Sequence, residues 1–475
     1  MKLYELISKN SVLSGAEYLS LDAESITDDS RKVMPQGAFF ASTKSAEHIS
    51  EAIRRGASVI IAESAVDVGS PCITVKNARR AYAVSCQRAR GCPGDKMKLV
   101  AVTGTNGKTS VSLITAHILT FAGKKTGVIG TTGNYIGNEF FPASYTTPPP
   151  DALAELLEKM ADAGCEYAVM EASSHALSQH RTDGLTFDVG IFTNLTRDHM
   201  DYHGSENDYA EAKARLFGAS KNSVINLDDA RAEQMAWHAA GDVYYVSRSD
   251  RLAEYFAHDV SLGTSKLDFM LDTPHGVSSI GTSLTGDFNV YNISEAYAAA
   301  ELCGIDGNTI ISALASFRGV NGRAEEVGNG EISVIIDYAH TPDALEKILA
   351  SLSSLPHGRM ISVFGCGGDR DHGKRAMMGA VAAKHSDLII LTSDNPRSED
   401  PTAIISDVAA GIPQGVKTIT EPDRAAAIQL ALSSAQRGDT VLIAGKGHED
   451  YIVDKNGKRY FSDRDEVKKY FEKGK

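Results

Sequence analysis

Residues 104–110 read GTNGKTS, immediately after the run LVAVT and just before a stretch in which Val111, Ile114, Ile118 and Leu119 recur at helical spacing. A strand that ends in glycine, a short loop and a helix together predict an α/β sheet with helices on its faces. The loop also carries chemistry. Its glycines let backbone N–H groups wrap an anion, the helix N-terminus favours negative charge, and Lys108 reaches the terminal phosphates of a nucleotide. The Thr109 hydroxyl is placed to bind Mg²⁺. The general phosphate-loop spacing asks for a glycine at position 102, which is Val102 here, so this is the shorter G-x-x-G-K-T form.

The rest of the chain extends that pattern. Apolar runs at 167–173, 190–195 and 223–228 alternate with helical stretches such as 151–164, predicting a mostly parallel sheet. Around 250–286 the helices lapse, and KLDFMLDTPHGVSSIGTSLTG reads as antiparallel strands. From 323 the alternation restarts with SVIIDYA, RMISVFG, DLIILTS and TVLIAG, the pattern of a Rossmann-type unit. Asn456-Gly457 predicts a tight hairpin. Residues 88–98, RARGCPGDKMK, lack periodicity and read as a linker. With 475 residues at about 150 per domain, three domains are expected: 1–97, 98–322 and 323–475.

Net charge excludes some classes. With 48 basic and 61 acidic residues the chain carries −13, which argues against a nucleic-acid coat or an anionic-membrane binder. No apolar run reaches the ~18 residues of a membrane span, and the N-terminus has no signal-peptide pattern. Cys72, Cys86, Cys92, Cys165, Cys303 and Cys366 form no C-x-x-C pair and are too sparse for a disulfide scaffold. The expectation is a cytoplasmic, monomeric protein without nucleic-acid partners or membrane insertion.

Three further segments suggest a site. Glu171 ends an apolar strand, where ligands gather in open α/β sheets, and could hold Mg²⁺. NLTRDHMDYHG (194–204) supplies His199 and His203 four residues apart, but without H-E-x-x-H a second magnesium site is favoured over zinc. Lys213, in YAEAKARLF, reads either as a solvated helix lysine or as a lysine whose neutral amine adds CO₂ to become a metal-binding carbamate.

GTNGKTS, EASSH, NLTRDHMDYHG, YAEAKARLF, GDFNVYN, DYAHTPDAL and GKGHE occur in the order found in the Mur ligases, and DSR (29–31) and DNPR (394–397) add to the likeness. The resemblance covers essentially the whole chain. It implies a three-domain α/β architecture: an N-terminal UDP-sugar-binding domain, a central ATPase-like parallel sheet and a C-terminal Rossmann-like amino-acid domain. It implies an ATP-dependent amide ligase using Mg²⁺, acting on UDP-MurNAc-dipeptide and meso-diaminopimelate in peptidoglycan precursor synthesis.

By motif, the resemblance carries Gly104, Thr105, Asn106, Gly107, Lys108, Thr109, Ser110, Asn289, Asn292, Arg323 and Asp337 to ATP. It carries Ser30, Thr146, Thr147, Ser173, Gln179 and Arg181 to the UDP-sugar substrate, and Arg370, Asp394, Asn395, Pro396, Arg397, Gly445 and Glu449 to the amino acid, with Glu449 pairing its distal ammonium. Thr109, Glu171, His199 and carbamylated Lys213 (N6-carboxylysine) are implied metal ligands. Lys108, Glu171, His199 and Lys213 are implied to serve catalysis. The family's glycine- and aspartate-bearing loop is replaced here by STKSAEHIS (42–50), and no nucleotide contact is assigned to it. The alternatives are an L-lysine-adding ligase of the same step, a folylpolyglutamate-type ligase, and an ATP-binding scaffold that has lost catalysis.

Overall fold

A computed structural model describes residues 1–263, 266–328 and 330–473. Its frame is three separate sheets. The first has five strands in the spatial order Val12–Ser14, Cys72–Val75, Ala57–Ala62, Gly37–Ala41, Ile26–Thr27, parallel except for the first pair.

The second is an eleven-stranded sheet whose middle is parallel. Lys98–Thr103 lies at its centre, between Phe187–Phe192 and Tyr167–Glu171. Strand Lys98–Thr103 is almost wholly buried, and its side chains alternate between two cores. Val100 and Val102 pack with Val111, Ile114 and Ile118 of the helix Lys108–Phe121. Leu99 and Ala101 pack with Leu153, Leu157 and Met160 of the helix Pro150–Asp162. Burial on both faces is what the uninterrupted apolar runs predict for a parallel sheet. Strands Leu267–Thr273 and Gly276–Thr282 close one edge as the expected antiparallel pair. The other edge ends in a hairpin, Gly133–Ile136 with Glu139–Phe141, whose short strands carry no distinct sequence signal.

The third sheet orders Glu325–Glu326, Ser333–Asp337, Thr440–Ala444, Met360–Phe364, Leu388–Leu391 and Thr418–Thr420, parallel after the first pair. No helix among the described residues is long and apolar enough to cross a membrane.

Two local expectations need correction. Residues 88–98 are not a loose linker: the helix Ala78–Ala89 claims their start, a short 3₁₀ turn spans Pro93–Lys96, and Pro93 and Gly94 are buried. A Cβ on Gly94 would come within 2.9 Å of Leu185, so glycine here serves close packing. In the hairpin Tyr451–Asp454/Gly457–Tyr460, Asp454 pairs with Gly457. The two turn residues are therefore Lys455 and Asn456, one position earlier than expected, and Gly457 takes φ +114° as the first strand residue.

Candidate functional site

The site grows from the C-terminal ends of the central parallel strands. After Thr103 the chain turns through Gly104 at φ +153°, where a Cβ would lie 1.9 Å from Thr193 Oγ1, and through Gly107 at φ +87°, where it would meet Asn292 Oδ1 at 2.6 Å. Only glycine fits either turn. The loop is pinned from the neighbouring strand, with Thr105 N donating to the Asn194 carbonyl (2.8 Å) and Asn106 N to Asn194 Oδ1 (3.0 Å). Lys108 curls back and donates to the carbonyls of Gly104 and Thr105, both at 2.8 Å.

Thr109 Oγ1 donates to Glu171 Oε1 (3.0 Å) and accepts from Arg323 Nη2 (3.1 Å). Glu171 is buried and also accepts from Thr131 N (2.8 Å) and Thr131 Oγ1 (3.0 Å). Hydroxyl and carboxylate oxygens side by side, beside a phosphate loop, are the hard donors that Mg²⁺ prefers. Among the described residues no three His, Cys, Asp or Glu side chains converge on one metal position. A cation here would therefore combine Glu171 and the Thr109 hydroxyl with substrate oxygens or a modified lysine.

Lys213 is such a lysine. Ser205 caps its helix, Glu206–Ala214, by accepting from Asp208 N. Lys213 is 1% exposed, and its Nζ donates to the same Gly104 carbonyl (2.7 Å) that Lys108 uses. Burial, reinforced by the nearby Lys108 cation, pushes its pKa well below the ordinary lysine value. A neutral amine is the form that adds CO₂. The solvated-lysine reading is excluded by this burial.

His199 takes φ +55° at the start of the short helix Met200–His203, with its N–H donating to Asp198 Oδ1 (2.9 Å). Its ring meets His175 edge-on, at 4.8 Å between centroids, and His203 is bonded instead to Ser174 Oγ (3.0 Å). Both rings also pack against His175 and Tyr209, so the two histidines belong to one aromatic cluster.

Several of these groups line one cavity of about 850 Å³. Residues 105–110, Glu171, His199 and Lys213 form one part, while Asn292 contributes from the helix Asn289–Leu302 and Arg323 and Asp337 from the third unit. Asn106 Nδ2 donates to Asp343 Oδ2 (3.0 Å) at the start of the helix Pro342–Ser353, a further link between the glycine loop and the third unit. Asn289 sits behind Asn292, accepting from its Nδ2 at 2.8 Å, and does not line this cavity.

Thr146, Thr147, Ser173, Gln179 and Arg181 form one network against Glu171. Thr147 Oγ1 donates to the Glu171 carbonyl (2.7 Å) and Arg181 Nη1 to the Thr147 carbonyl (2.8 Å). Arg181 also donates to Gln179 Oε1, and Thr146 Oγ1 lies 3.0 Å from Thr131 Oγ1. Ser30 stands apart in the first unit, buried and donating to Glu51 Oε2 (2.7 Å).

The remaining predicted residues cluster at the ends of the third sheet, outside the cavity. Asp394, Asn395 and Gly445 are buried, and a Cβ on Gly445 would strike Asp394 Oδ2 at 2.8 Å. Arg397, at φ +53°, donates through Nη1 to the Gly368 carbonyl (2.7 Å), and its N–H donates to the Val453 carbonyl (3.0 Å). Arg397 and Arg370 flank Gly367, whose added Cβ would lie 2.9 Å from one guanidinium and 3.9 Å from the other's stem. Arg397 is therefore anchored rather than free in solvent, whereas Arg370 is exposed, 4.0 Å from Asp201.

Glu449 already faces a cation: Lys446, fully buried, lies 3.2 Å from Glu449 Oε2 and 3.3 Å from both Asp394 Oδ1 and Asn395 Oδ1. Sequence reasoning passed over Lys446, although it lies inside the quoted GKGHE run. Asn194, Asp198 and His175 were likewise inside quoted runs without a role. A single sequence does not reveal which member of a motif points inward.

Residues 102–300 match the Mur ligase middle domain, and residues 322–447 match the Mur ligase glutamate ligase domain. A UDP-N-acetylmuramoyl-L-alanyl-D-glutamate–2,6-diaminopimelate ligase of Geobacillus kaustophilus is 41% identical over 93% of this chain and 94% of its own length. One of the same description from Clostridium tetani is 39% identical over 99% of both. A solved structure of a ligase with that description superposes with a TM-score of 0.73 at 34% identity, over 100% of this chain and 99% of the other. A Mycobacterium tuberculosis folylpolyglutamate synthase shares the fold at 19% identity, TM-score 0.66, over 77% of this chain and 92% of the other. The phosphate loop, the buried lysine beside it and the three-sheet frame thus occur together in a chain that belongs to the Mur ligase family.

Proposed function

We propose that this chain is the ATP-dependent amide ligase that joins meso-diaminopimelate to the D-glutamate of UDP-N-acetylmuramoyl-L-alanyl-D-glutamate. The observation that carries the reading is the single cavity that brings Lys108, Thr109, Glu171 and Lys213 together with Arg323 of the third unit. Full-length relatives described as diaminopimelate ligases support the choice of amino acid. On this reading residues 1–97 hold the UDP sugar, 98–322 bind ATP and 323–475 deliver the amino acid.

A carboxylate is a poor electrophile because expelling its oxygen costs too much. Transfer of the γ-phosphoryl group from ATP to the glutamate carboxylate releases ADP and gives an acyl phosphate. The diaminopimelate amine attacks the acyl carbon, the tetrahedral intermediate expels inorganic phosphate, and the amine loses a proton. Two anions must meet for the first step, so the protein's contribution is charge neutralisation and alignment.

Lys108 is poised for this. Its ammonium, satisfied by two loop carbonyls here, would transfer to the phosphates of ATP, and burial already lowers its pKa. Asn194, which accepts from the N–H groups of Thr105 and Asn106, and Thr193, whose Oγ1 donates to the Asn106 carbonyl, fix the path of the loop, so that the N–H groups at the following helix start would meet the anion. Arg323 closes from the third unit against Thr109. Asn292 meets the adenosine side of the cavity, with Asn289 positioning it. Thr109, Glu171, His199 and carbamylated Lys213 would hold Mg²⁺, which when bound offsets phosphate charge. The Thr147–Arg181 network would orient the muramoyl peptide, and Ser30 would contact the UDP sugar.

The test is phosphate release from ATP in the presence of UDP-MurNAc-dipeptide. Release that depends on added meso-diaminopimelate is expected. Release driven equally by L-lysine would support the lysine-adding alternative, and release driven by a folate with glutamate would place the chain among folylpolyglutamate ligases.

A further inference from the structure

Glu295 has no place in the chemistry above. It lies on the helix Asn289–Leu302, one turn beyond Asn292, and both residues line the large cavity. It is 0% exposed, and neither carboxylate oxygen has a hydrogen-bond partner among the described residues. A buried carboxyl without a partner is among the costlier groups a fold can retain, and such groups call for an explanation. Burial, with Asp229 adding to it and Lys347 opposing, raises its pKa well above the ordinary glutamate value. A neutral carboxyl differs chemically from a carboxylate: it presents one O–H donor and one carbonyl acceptor side by side.

The phosphate end of the cavity is fixed by residues 105–110 and Glu171. Asn292 Oδ1 faces Gly107 at the edge of that loop. Glu295 lies further along the same helix, among Asp229 and Lys347, where the base of a bound nucleotide would extend. Adenine offers a matching pair, an exocyclic amine that donates and an adjacent ring nitrogen that accepts. We propose that Glu295 is the adenine-selecting residue of this site, its carbonyl accepting from the amine and its O–H donating to the neighbouring ring nitrogen. The inference rests on the ATP-site reading above and adds to it the group that reads the base.

Calorimetric titration of the full chain with ATP, 7-deaza-ATP and 1-deaza-ATP tests it, using the parent, Glu295→Gln and Glu295→Leu. The two analogues each lack one of the ring nitrogens beside the amine, so they also report which edge is read. The parent should bind ATP roughly tenfold to a hundredfold more tightly than one of the analogues. Glu295→Gln should keep the preference, because a carboxamide offers the same donor and acceptor. Glu295→Leu should lose it while melting no lower than the parent, since it removes an unpartnered buried carboxyl. A parent that binds ATP and both analogues equally, or a folded Glu295→Leu that retains full discrimination, overturns the proposal. A parent that binds none of the three overturns the nucleotide-site reading itself, a result distinct from loss of base selectivity alone.

Discussion

Replacing Lys446 with methionine tests how the amino-acid cluster is held. The ammonium is fully buried between Asp394 (3.3 Å), Glu449 (3.2 Å) and Asn395 Oδ1 (3.3 Å). Methionine keeps the length and apolar stem but leaves two acidic groups facing each other without a cation. Removing one partner of a buried ion pair costs about 3–5 kcal/mol, because the remaining charge keeps its desolvation cost. Burial alone would raise the Asp394 pKa, but Lys446 and then Arg424 outweigh it and hold the carboxyl below its ordinary range. A depressed acid pKa gives stability that is present above the unfolded value of about 3.9 and lost as pH falls through the folded one. In Lys446→Met the folded Asp394 binds its proton at higher pH than in the parent. The stability gap should therefore be widest near neutrality and shrink toward pH 4. Asn395 links the cluster onward, since its Nδ2 donates to Glu449 and its Oδ1 accepts from Val453 N, next to the Arg397 anchor. The KM for diaminopimelate should accordingly rise by roughly tenfold to a hundredfold, as misplacement by about an ångström can do, while the KM for ATP stays within about twofold. Urea unfolding from pH 4 to 8 and steady-state kinetics with each substrate varied provide the readouts. A pH-independent stability gap, or equal changes in both KM values, would refute the reasoning.

Three other outcomes are expected. Arg397→Ala should lose most diaminopimelate use, and Arg397→Lys should recover little, because a point charge cannot replace the planar fork; leaving this cation unpaired, as L-lysine would, costs about 2–5 kcal/mol. Specificity constants for both amino acids check this, and near-equal values in the parent would remove its basis. Lys213→Ala should abolish ligation, with partial rescue by formate or bicarbonate, and intact-mass or ¹³C-carbonate NMR measurements should find the carbamate on the parent only. Asp463→Asn, which breaks the wholly buried pair of Asp463 with Arg424 Nε (2.7 Å) and Nη2 (2.8 Å), should destabilise the third unit by about 3–5 kcal/mol; a loss under about 1 kcal/mol in chemical denaturation contradicts that.

The parallel cores were legible because both-face burial writes uninterrupted apolar runs, and LVAVT, YAVME and TVLIA all fold as central strands. The turn at 104–107 was legible because glycine is demanded twice by positive φ, at Gly104 and Gly107. Residues 88–98 misled because Gly and Pro signal a turn equally well when that turn is packed. Lys446 and Glu295 were invisible for a common reason: on a single sequence a charged residue looks solvated, and only the tertiary fold shows that it is buried. Glu295 sits in a helix whose neighbours are mostly buried, so its depth is set by packing on the strands rather than by its own pattern.

The most direct test of the account is the mass of the UDP-linked product formed from UDP-MurNAc-dipeptide, ATP and equal amounts of meso-diaminopimelate and L-lysine. The account predicts a tripeptide product carrying diaminopimelate, with one ADP and one phosphate formed per amide bond. A product carrying mainly lysine, or ATP hydrolysis without a new amide bond, would contradict it.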